Sequence, residues 1–389
     1  MRLFSMLVIA FLTAGPVSAQ GVCGGSFSGF VEELGREAVG RGHDPDTVAR
    51  FFSSVRQDPK VLAADRRQGV FQMDFTSFSR RLISSNRLDT GRAKAREFAD
   101  LFDRIEAEFG VSRGVLLAFW AFETDFGGFQ GDFNTRDALV TLAHDCRRPH
   151  LFRPQIFAAL ELYERGDFDP AHTTGAWAGE IGQVQMLPRD ILENGVDGDG
   201  DGQVRLRASA ADALMSGGKM LQSLGWRAGE PWLQEVVVPG GFSWSKSGLA
   251  TQLPASEWAA LGVQAREGRL ADLPGSLILP QGRGGPAFLT YPNFRVFFEW
   301  NQSFTYVLTA AYFATRLEGA PEFDPGDPAP GLSGDEMKAL QRKLDARGFD
   351  VGEIDGILGA GTRAAVREVQ GELRLPEDGW PTRELLGRL

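Results

Sequence analysis

The sequence predicts a mainly α-helical protein with a small β element and a separate small helical region at its C-terminus. Apolar residues recur at helical spacing through most of residues 27–317, whereas β-like runs are confined to residues 235–300. A Pro- and Gly-rich segment, residues 319–334, then interrupts the pattern. Of the 389 residues, 43% are hydrophobic and 24% are charged, which supplies a large core and excludes wholesale disorder or a fibrous repeat.

Helical periodicity is clearest in six stretches of the main part of the chain. They are residues 46–55, 92–109, 113–122, 155–165, 212–224 and 306–317. Three runs have the β-branched and aromatic composition of strands: residues 235–239, 276–279 and 287–300, the last broken at Pro292 and Asn293. We therefore expect a helical body that carries a small sheet or a set of hairpins.

The first 19 residues, MRLFSMLVIAFLTAGPVSA, have the pattern of a secretory signal peptide. Arg2 precedes a short apolar run, and small residues lead to the expected cleavage site near Ala19. No later stretch is apolar for long enough to span a bilayer, so we expect no transmembrane segment. Secretion of this kind points to a periplasmic protein, and the net charge of -10 argues against a nucleic-acid partner.

Two cysteines, Cys23 and Cys146, are the whole cysteine content of the chain. In the oxidising compartment that the signal implies, they favour one structural disulfide that ties the mature N-terminus to the main domain. Two unpaired thiols are the alternative.

Residues 319–334, GAPEFDPGDPAPGLSG, have the composition of an exposed linker, with four prolines and four glycines. Beyond this segment, Met337, Leu340 and Leu344 continue at helical spacing. We therefore divide the mature chain into a main domain at residues 20–318 and a small helical domain at residues 335–389.

Glu123 is the first candidate for a catalytic residue. It follows residues 115–122, VLLAFWAF, which at helical pitch form a helix that is apolar all round and therefore buried. A carboxyl group held against such a wall has a raised pKa and can donate a proton near neutral pH. In FETDFGG we expect the two glycines to end the helix beside the acid, while Asp125 lies on another face. The alternative is an exposed or salt-bridged Glu123 at the helix end.

Several ordered motifs make the chain similar to a known family. They are FETDFG, GAWAGEIGQVQMLP, VDGDGDGQVRL, LGW and NFRVFFEWNQSFTY. Together they resemble the soluble lytic murein transglycosylases of the MltB type, across residues 26–317. The resemblance implies a goose-type lysozyme-like domain that cleaves peptidoglycan between N-acetylmuramic acid (MurNAc) and N-acetylglucosamine (GlcNAc) and leaves a 1,6-anhydromuramic end.

That resemblance implies a single catalytic carboxyl group, Glu123, which acts first as acid and then as base. It also places Gln185, Asn301 and Tyr306 in the glycan cleft as substrate-binding residues. Without the family pattern, Gln185 and Asn301 are equally well read as turn or capping residues, and Tyr306 as a core aromatic.

The chain departs from the family pattern at four positions of the expected cleft. Ala176 stands where many relatives have Ser, Phe78 and Met220 stand where they have Tyr, and Glu180 stands where Ala is common. The missing hydroxyl groups change how this cleft would orient its substrate. Glu180 opens a rival hypothesis, a hydrolytic muramidase in which a second carboxylate activates water. The plainer reading of Glu180 is a solvated or capping acid.

Asp197, Asp199 and Asp201 match the first half of an EF-hand loop, D-x-D-x-D-G, which indicates a structural Ca²⁺ site. Gln203 would offer its backbone carbonyl, and the resemblance supplies Asp212 as a further ligand. The alternative is an acidic surface turn. Catalysis needs no cofactor in this hypothesis, and the sequence contains neither the HExxH motif of a zinc hydrolase nor a P-loop.

The C-terminal sequence LQRKLDARGFDVGEIDGILGAGTRAAVREVQGELRLPEDGWPT resembles a small three-helix peptidoglycan-binding domain. The resemblance implies that peptidoglycan glycan strands are the partner, and that the module raises the local concentration of the catalytic domain at the wall. We expect a monomer. A non-catalytic peptidoglycan adaptor is the alternative from a different functional class.

Overall fold

The computed structural model describes residues 23–66 and 73–389, and it is mostly helical, which confirms the predicted fold class. The predicted signal peptide, residues 1–19, lies outside the described residues. The helices before residue 319 are α1 (Phe27–Gly40), α2 (Pro45–Phe52), α3 (Pro59–Asp65), α4 (Phe75–Leu82), α5 (Ser85–Glu97), α6 (Ala99–Phe109), α7 (Arg113–Thr124), α8 (Thr135–His144), α9 (Pro149–Arg165), α10 (Pro188–Asn194), α11 (Ala210–Ser223), α12 (Ala255–Ala260), α13 (Pro292–Trp300) and α14 (Phe304–Leu317). With the strands described below, they form what we call the main body.

Side-chain caps define where the first five helices begin. In each, the residue before the helix accepts a hydrogen bond from a backbone N–H of the first turn, which would otherwise lack a partner. These caps are Ser26, Asp44, Asp58, Asp74 and Ser84. Short polar side chains at these positions therefore set where α1 to α5 begin.

Helix α7 lies at the centre of the main body and packs against α14. Its residues 115–121 are each at most 1% exposed, which confirms that the VLLAFWAF helix is buried all round. The two helices run antiparallel and very close together, because a Cβ added at Gly114 would lie 2.8 Å from the carbonyl oxygen of Ala314. The end of α7 therefore meets the start of α14, where Phe122 contacts the ring of Tyr306 edge-on.

The β element consists of two small antiparallel sheets. The strands are β1 (Phe133–Asn134), β2 (Thr174–Gly175), β3 (Leu233–Val237), β4 (Gln264–Ala265), β5 (Ser276–Ile278) and β6 (Phe288–Thr290). β1 pairs with β2, and the other four form a sheet in the order β4-β3-β6-β5. Trp258, Leu277 and Leu289 are fully buried in a second hydrophobic core beside this sheet.

The expected strand at residues 287–300 is wrong in its second half. β6 ends at Thr290, and residues 292–300 form helix α13, with Pro292 in the first turn. The aromatic content of NFRVFFEW suggested a strand, but Phe294 and Phe297 are both fully buried at i, i+3 spacing on one helical face. Burial of this face overrides the local β preference.

Residues 92–109 form two helices rather than one. Phe98 ends α5 and begins α6, with φ -107° and ψ 29°. Its ring packs edge-on against Trp120 of α7, with the ring centroids 5.5 Å apart. The break between α5 and α6 therefore coincides with a tertiary contact that periodicity does not report.

The C-terminal region, residues 334–389, contains α15 (Gly334–Asp345), α16 (Ala360–Glu372) and α17 (Arg383–Arg388). These helices share a core that includes Leu340, Leu344 and Val366. The segment between α14 and α15 is mostly exposed and carries no helix or strand. It is nevertheless anchored to the main body, because the ring of Phe323 packs against Tyr312 with the centroids 5.0 Å apart.

A disulfide joins Cys23 to Cys146 across 123 residues of sequence, with the two Cα atoms 5.3 Å apart. The predicted pairing is thus confirmed, and it ties the chain before α1 to the segment that follows α8. Over residues 23–66 and 73–389, no helix combines the length and the apolar character that crossing a membrane requires.

Candidate active site

Glu123 lies in the last turn of α7, and the chain turns sharply just after it. The helix ends at Thr124, and Asp125 and Phe126 take left-handed backbone conformations with φ of 52° and 60°. The helix therefore ends before Gly127 is reached, which corrects the expectation that the glycines end it. Asp125 is paired with Arg87 at 2.9 Å on the protein surface, so it is not a second catalytic carboxylate.

Two aromatic side chains donate hydrogen bonds to the Glu123 carboxyl group. The indole Nε1 of Trp300 lies 3.1 Å from Glu123 Oε1, and the hydroxyl of Tyr306 lies 2.5 Å from the same oxygen. Trp300 is held in place by stacking on Phe119 of α7, with the ring centroids 4.3 Å apart. Among the described residues, both donors bind Oε1, so the carboxyl group is oriented through one of its two oxygens.

Burial raises the pKa of Glu123 to about 7. The hydrogen bonds from Tyr306 and Trp300 favour the ionised form and oppose this rise, while the negative charge of Glu180 adds to it. Burial also raises the pKa of Tyr306 well above its ordinary value, so its hydroxyl stays protonated as a donor. A carboxyl group with a pKa near 7 can donate and then recover a proton at neutral pH.

Gln183 is a site residue that the sequence analysis missed. Its side-chain oxygen accepts a hydrogen bond from Trp120 Nε1 at 3.0 Å, and its backbone oxygen accepts one from the hydroxyl of Thr124 at 2.6 Å. Gln183 thus locks the catalytic end of α7 to the GQVQMLP segment. Both glutamines of that motif are equivalent by sequence, and no local signal separates Gln183 from Gln185.

The side chains of Gln185 and Asn301 form hydrogen bonds with nearby backbone groups. Gln185 has φ 53°, and its Nε2 donates to the carbonyl of Gly182 at 2.7 Å. Asn301 accepts a hydrogen bond from the backbone N–H of Ser303 at 2.9 Å, in the turn between α13 and α14. These contacts match the turn and cap readings of the two residues, and both side chains remain partly exposed.

Ala176, Phe78 and Met220 lie on three separate segments. The N–H of Ala176 donates to the carbonyl of Glu180 at 2.9 Å. Phe78 is buried in α4, and Met220 lies half-buried on α11 against the main core. Of the three, Ala176 is thus bonded to the backbone of a residue whose charge acts on Glu123.

Of the two plainer readings of Glu180, a solvated or a capping acid, the buried Oε2 does not fit the solvated one. Its Oε2 is buried and has no hydrogen-bond partner among the described residues. Burial raises the pKa of this carboxyl group, and hydrogen bonds from the backbone N–H groups of Glu180 and Ala178, together with the smaller effect of the Arg148 charge, partly oppose the rise. The chain also needs Gly175 here, because a Cβ at that position would lie 1.9 Å from the carbonyl oxygen of Glu180.

The acidic loop brings three of its predicted ligands together. Carboxylate oxygens of Asp197, Asp199 and Asp212 all lie within 4.8 Å of one another. Asp212 is fully buried and organises the loop by accepting hydrogen bonds from the N–H groups of Gly198 at 2.8 Å and Arg205 at 2.7 Å.

The other two predicted ligands of this loop, Asp201 and Gln203, make different contacts. Asp201 lies outside the cluster of three, and its carboxylate accepts a hydrogen bond from the N–H of Gln203 at 2.9 Å. The side-chain oxygen of Gln203 is buried and has no hydrogen-bond partner among the described residues. Converging carboxylates suit a hard cation such as Ca²⁺, and an unpartnered amide oxygen in the same loop is a further oxygen donor of the kind that this ion prefers.

The fold and this geometry define a class of enzyme. A carboxyl group with a pKa raised to about 7, carried by a buried helix and bound by an indole and a phenol, is the arrangement expected of the acid in a lysozyme-like, glycan-cleaving enzyme. The model of the transglycosylase SLT domain matches residues 26–315, and that of the putative peptidoglycan-binding domain matches residues 333–389. The chain therefore belongs to the SLT transglycosylase family, and it is a peptidoglycan lytic transglycosylase.

Comparisons with individual proteins agree with this family. The crystal structure of SltB3 from Pseudomonas aeruginosa in complex with NAG-anhNAM-pentapeptide is 36% identical, covers 94% of this chain and 99% of its own, and superposes with a TM-score of 0.86. Membrane-bound lytic murein transglycosylase B of Escherichia coli K12 is 23% identical over 282 residues, 72% of this chain and 76% of its own. The Escherichia coli lytic transglycosylase Slt35 in complex with calcium shares the fold at 22% identity, with a TM-score of 0.65 and coverage of 78% and 98%.

Proposed function

We propose that the protein cleaves the β-1,4 bond between MurNAc and GlcNAc in peptidoglycan, with Glu123 as the only acid and base. The observation that carries this proposal is the state of the Glu123 carboxyl group: its pKa is raised to about 7, and both donors bind one of its oxygens. No cofactor takes part in the reaction.

In the first step, protonated Glu123 gives its proton to the glycosidic oxygen as the bond from that oxygen to the anomeric carbon breaks. The N-acetyl group of the substrate shields the positive charge left on the sugar. In the second step, the Glu123 carboxylate takes the proton of the C6 hydroxyl group, whose oxygen bonds to the anomeric carbon. This closes the 1,6-anhydro ring, returns Glu123 to its protonated form and consumes no water.

Tyr306 and Trp300 support both steps by holding Glu123 Oε1. Their hydrogen bonds stabilise the carboxylate that exists between the two proton transfers, because bonds to a charged acceptor are stronger than bonds to a neutral one. They also keep the carboxyl group at a fixed orientation in a site from which burial removes water. Orientation of this kind lowers the entropic part of the barrier.

The remaining cleft residues are assigned to substrate binding. Gln185 and Asn301 offer amide groups to N-acetyl and hydroxyl groups of the glycan, and both are partly exposed. Ala176 and Met220, which are partly exposed, supply apolar surface where hydroxyl-bearing residues are common in the family. Phe78 is assigned to the same cleft by the family pattern, but it is buried in this structure. The sugar rings would then be bound here through packing more than through hydrogen bonds.

Calcium is assigned to the acidic loop. Asp197, Asp199 and Asp212 would hold the ion through carboxylate oxygens. Asp201 and the backbone carbonyl of Gln203 complete the predicted set, and the unpartnered side-chain oxygen of Gln203 is an additional candidate donor. Bound Ca²⁺ would supply positive charge that offsets the repulsion among the carboxylates. The role of this loop is structural, since it belongs to a different site from Glu123.

The domain division at residues 20–318, 319–334 and 335–389 gives the enzyme a catalytic domain and a wall-binding module. The family matches at residues 26–315 and 333–389 support that division. We assign the protein to the periplasm on the signal-like sequence of residues 1–19 and on the location of its polymeric substrate. We expect it to act as a monomer.

Mass spectrometry of purified sacculi digested with the protein tests this function. Wild type should release anhydromuropeptides, Glu123→Gln should release none, and Glu299→Gln should behave as wild type, because Glu299 is an exposed acid on α13. Reducing-end products would indicate a hydrolase. Intact sacculi in every digest would indicate an adaptor without catalytic activity.

A further inference from the structure

The C-terminal region inserts one arginine into the main body. Arg363 of α16 is only 7% exposed. Its guanidinium group donates hydrogen bonds to the carbonyl of Pro280 at 2.7 Å and to that of Leu279 at 3.4 Å, just beyond β5. The guanidinium carbon also lies 4.6 Å from the centre of the Phe304 ring, in cation–π contact.

The guanidinium group is held between the two regions of the chain. The ring of Trp380, also of the C-terminal region, has its centre 5.8 Å from the guanidinium carbon. Burial lowers the pKa of Arg363 to about 9, which indicates that this contact is made at a desolvation cost. Two backbone carbonyls and an aromatic face partly compensate the buried cation, while its Nε has no hydrogen-bond partner among the described residues.

Phe304 occupies a critical position for the active site. It is the first residue of α14, and Tyr306, two residues later, donates to Glu123. The turn of residues 301–303 connects Phe304 to Trp300, the other donor. Both donors to the catalytic carboxyl group therefore flank one short turn, and Arg363 packs on the residue at its end.

We propose that Arg363 is a positioning residue for the reaction: it clamps the start of α14 against the end of β5 and so holds the Tyr306 hydroxyl on Glu123. The proposal rests on the function proposed above for Glu123. It gives the C-terminal region a second role besides tethering the enzyme to the wall. The region also completes the rigid support of the catalytic site.

A short soluble glycan fragment separates these two roles, because tethering to the wall polymer does not contribute to its cleavage. The variants are Arg363→Ala, Arg363→Lys and the control Arg342→Ala, which removes an exposed arginine from α15. We expect Arg363→Ala to lower kcat on the fragment by about tenfold or more with little change in KM, since small displacements of catalytic groups are costly. Arg363→Lys should restore part of the loss, and Arg342→Ala should match wild type.

The pH profile of kcat separates a positioning role from a general loss of protein stability, because a loss of stability alone would not shift the profile. The hydrogen bond from Tyr306 lowers the pKa of Glu123, so weakening of this bond in Arg363→Ala should raise that pKa. The alkaline limb of the profile, where activity falls, should then move to higher pH. The charge of Glu180, which also acts on Glu123, is untouched by this variant. Unchanged kcat and pH profile on the fragment, with weaker action on sacculi alone, would show that the C-terminal region is only a tether.

Phe304→Leu keeps the test decisive if Arg363→Ala does not fold. This variant removes the aromatic face but leaves the carbonyl contacts of Arg363 in place, and it should change kcat and the pH limb in the same direction. Full activity of a folded Phe304→Leu protein would overturn the proposal. A wild-type protein that releases no anhydro product would instead refute the proposed function, which is a separate result.

Discussion

The main body holds two groups of carboxyl side chains that differ in their surroundings and therefore in their chemistry. At the active site, burial raises the pKa of Glu123 to about 7, and the donors are aromatic side chains on one oxygen. At the acidic loop, hydrogen bonds from backbone N–H groups, chiefly that of Gly202, lower the pKa of Asp197. The first arrangement suits transfer of a proton near neutral pH, and the second suits the binding of a cation. The same functional group thus serves both purposes, according to its desolvation and its donors.

Removal of the Tyr306 hydroxyl group should change the difference between Glu123 and the acidic-loop carboxylates more than any other substitution considered. We expect Tyr306→Phe to lower kcat by about ten- to a hundredfold, because a hydrogen bond to a charged group is worth about 1.5–3 kcal/mol. The pKa of Glu123 should rise, so the limb of falling activity should move to higher pH. Steady-state kinetics on a short glycan between pH 5 and 9 measures both. Tyr312→Phe is the control, since that hydroxyl contacts Arg316 and Phe323 instead. An unchanged kcat would contradict the assigned role of Tyr306.

The stability cost of the buried acid should follow pH. Because the folded-state pKa of Glu123 is about 7 against an ordinary 4.5, wild type loses stability as pH rises through that interval. Glu123→Gln does not titrate, so its free energy of unfolding relative to wild type should increase by up to about 3 kcal/mol between pH 4.5 and 8. Urea denaturation at both pH values measures this change. If the difference in free energy of unfolding between Glu123→Gln and wild type is the same at both pH values, Glu123 is not desolvated. The control Glu299→Gln should show no change of this difference with pH.

Calcium should act at the acidic loop and not at Glu123. We therefore expect it to change the stability of the protein rather than its activity. At about a hundred times its dissociation constant, the ion should stabilise wild type by about 2.7 kcal/mol, seen as a rise of several degrees in Tm that a chelator removes. Asp199→Asn should abolish the response, because Asp199 belongs to the cluster of three. Asp201→Asn should weaken it less. Equal Tm values in calcium and in chelator for wild type would refute the metal site.

Glu180→Gln should give the smallest effect. The charge of Glu180 is the last and weakest of the causes that act on the pKa of Glu123, and it raises that pKa. Its removal should move the limb of falling activity to lower pH, opposite to Tyr306→Phe, while anhydro products continue to form. The kcat profile and product masses test this. A complete loss of activity would instead assign Glu180 a direct part in the chemistry.

Sequence patterns predicted the parts of the site that depend on local burial. Eight consecutive apolar residues before Glu123 were sufficient to predict a buried helix and a raised pKa, and the alternating aspartates predicted the convergence of Asp197 and Asp199. Asp212 came from the family pattern, and it too lies in the cluster.

The contacts that depend on tertiary structure could not be predicted in this way. The WNQSF segment contains Trp300, yet only the packing of α13 on α7 shows that its indole donates to Glu123. Periodicity also misassigned α13 itself, because its buried aromatic face has the composition of a strand. Arg363 looks like an ordinary surface residue of an amphipathic helix, and its burial follows only from docking of two distant regions.

The disulfide between Cys23 and Cys146 has a topological consequence for the catalytic helix. It closes a covalent ring of chain that contains Glu123, Trp120 and the whole of α7. A protease that cuts this ring once leaves both new ends attached to the rest of the polypeptide. Two cuts, or one cut together with reduction, are needed before a fragment can separate. The bond therefore makes the molecule tolerant of a single nick in the segment that carries Glu123.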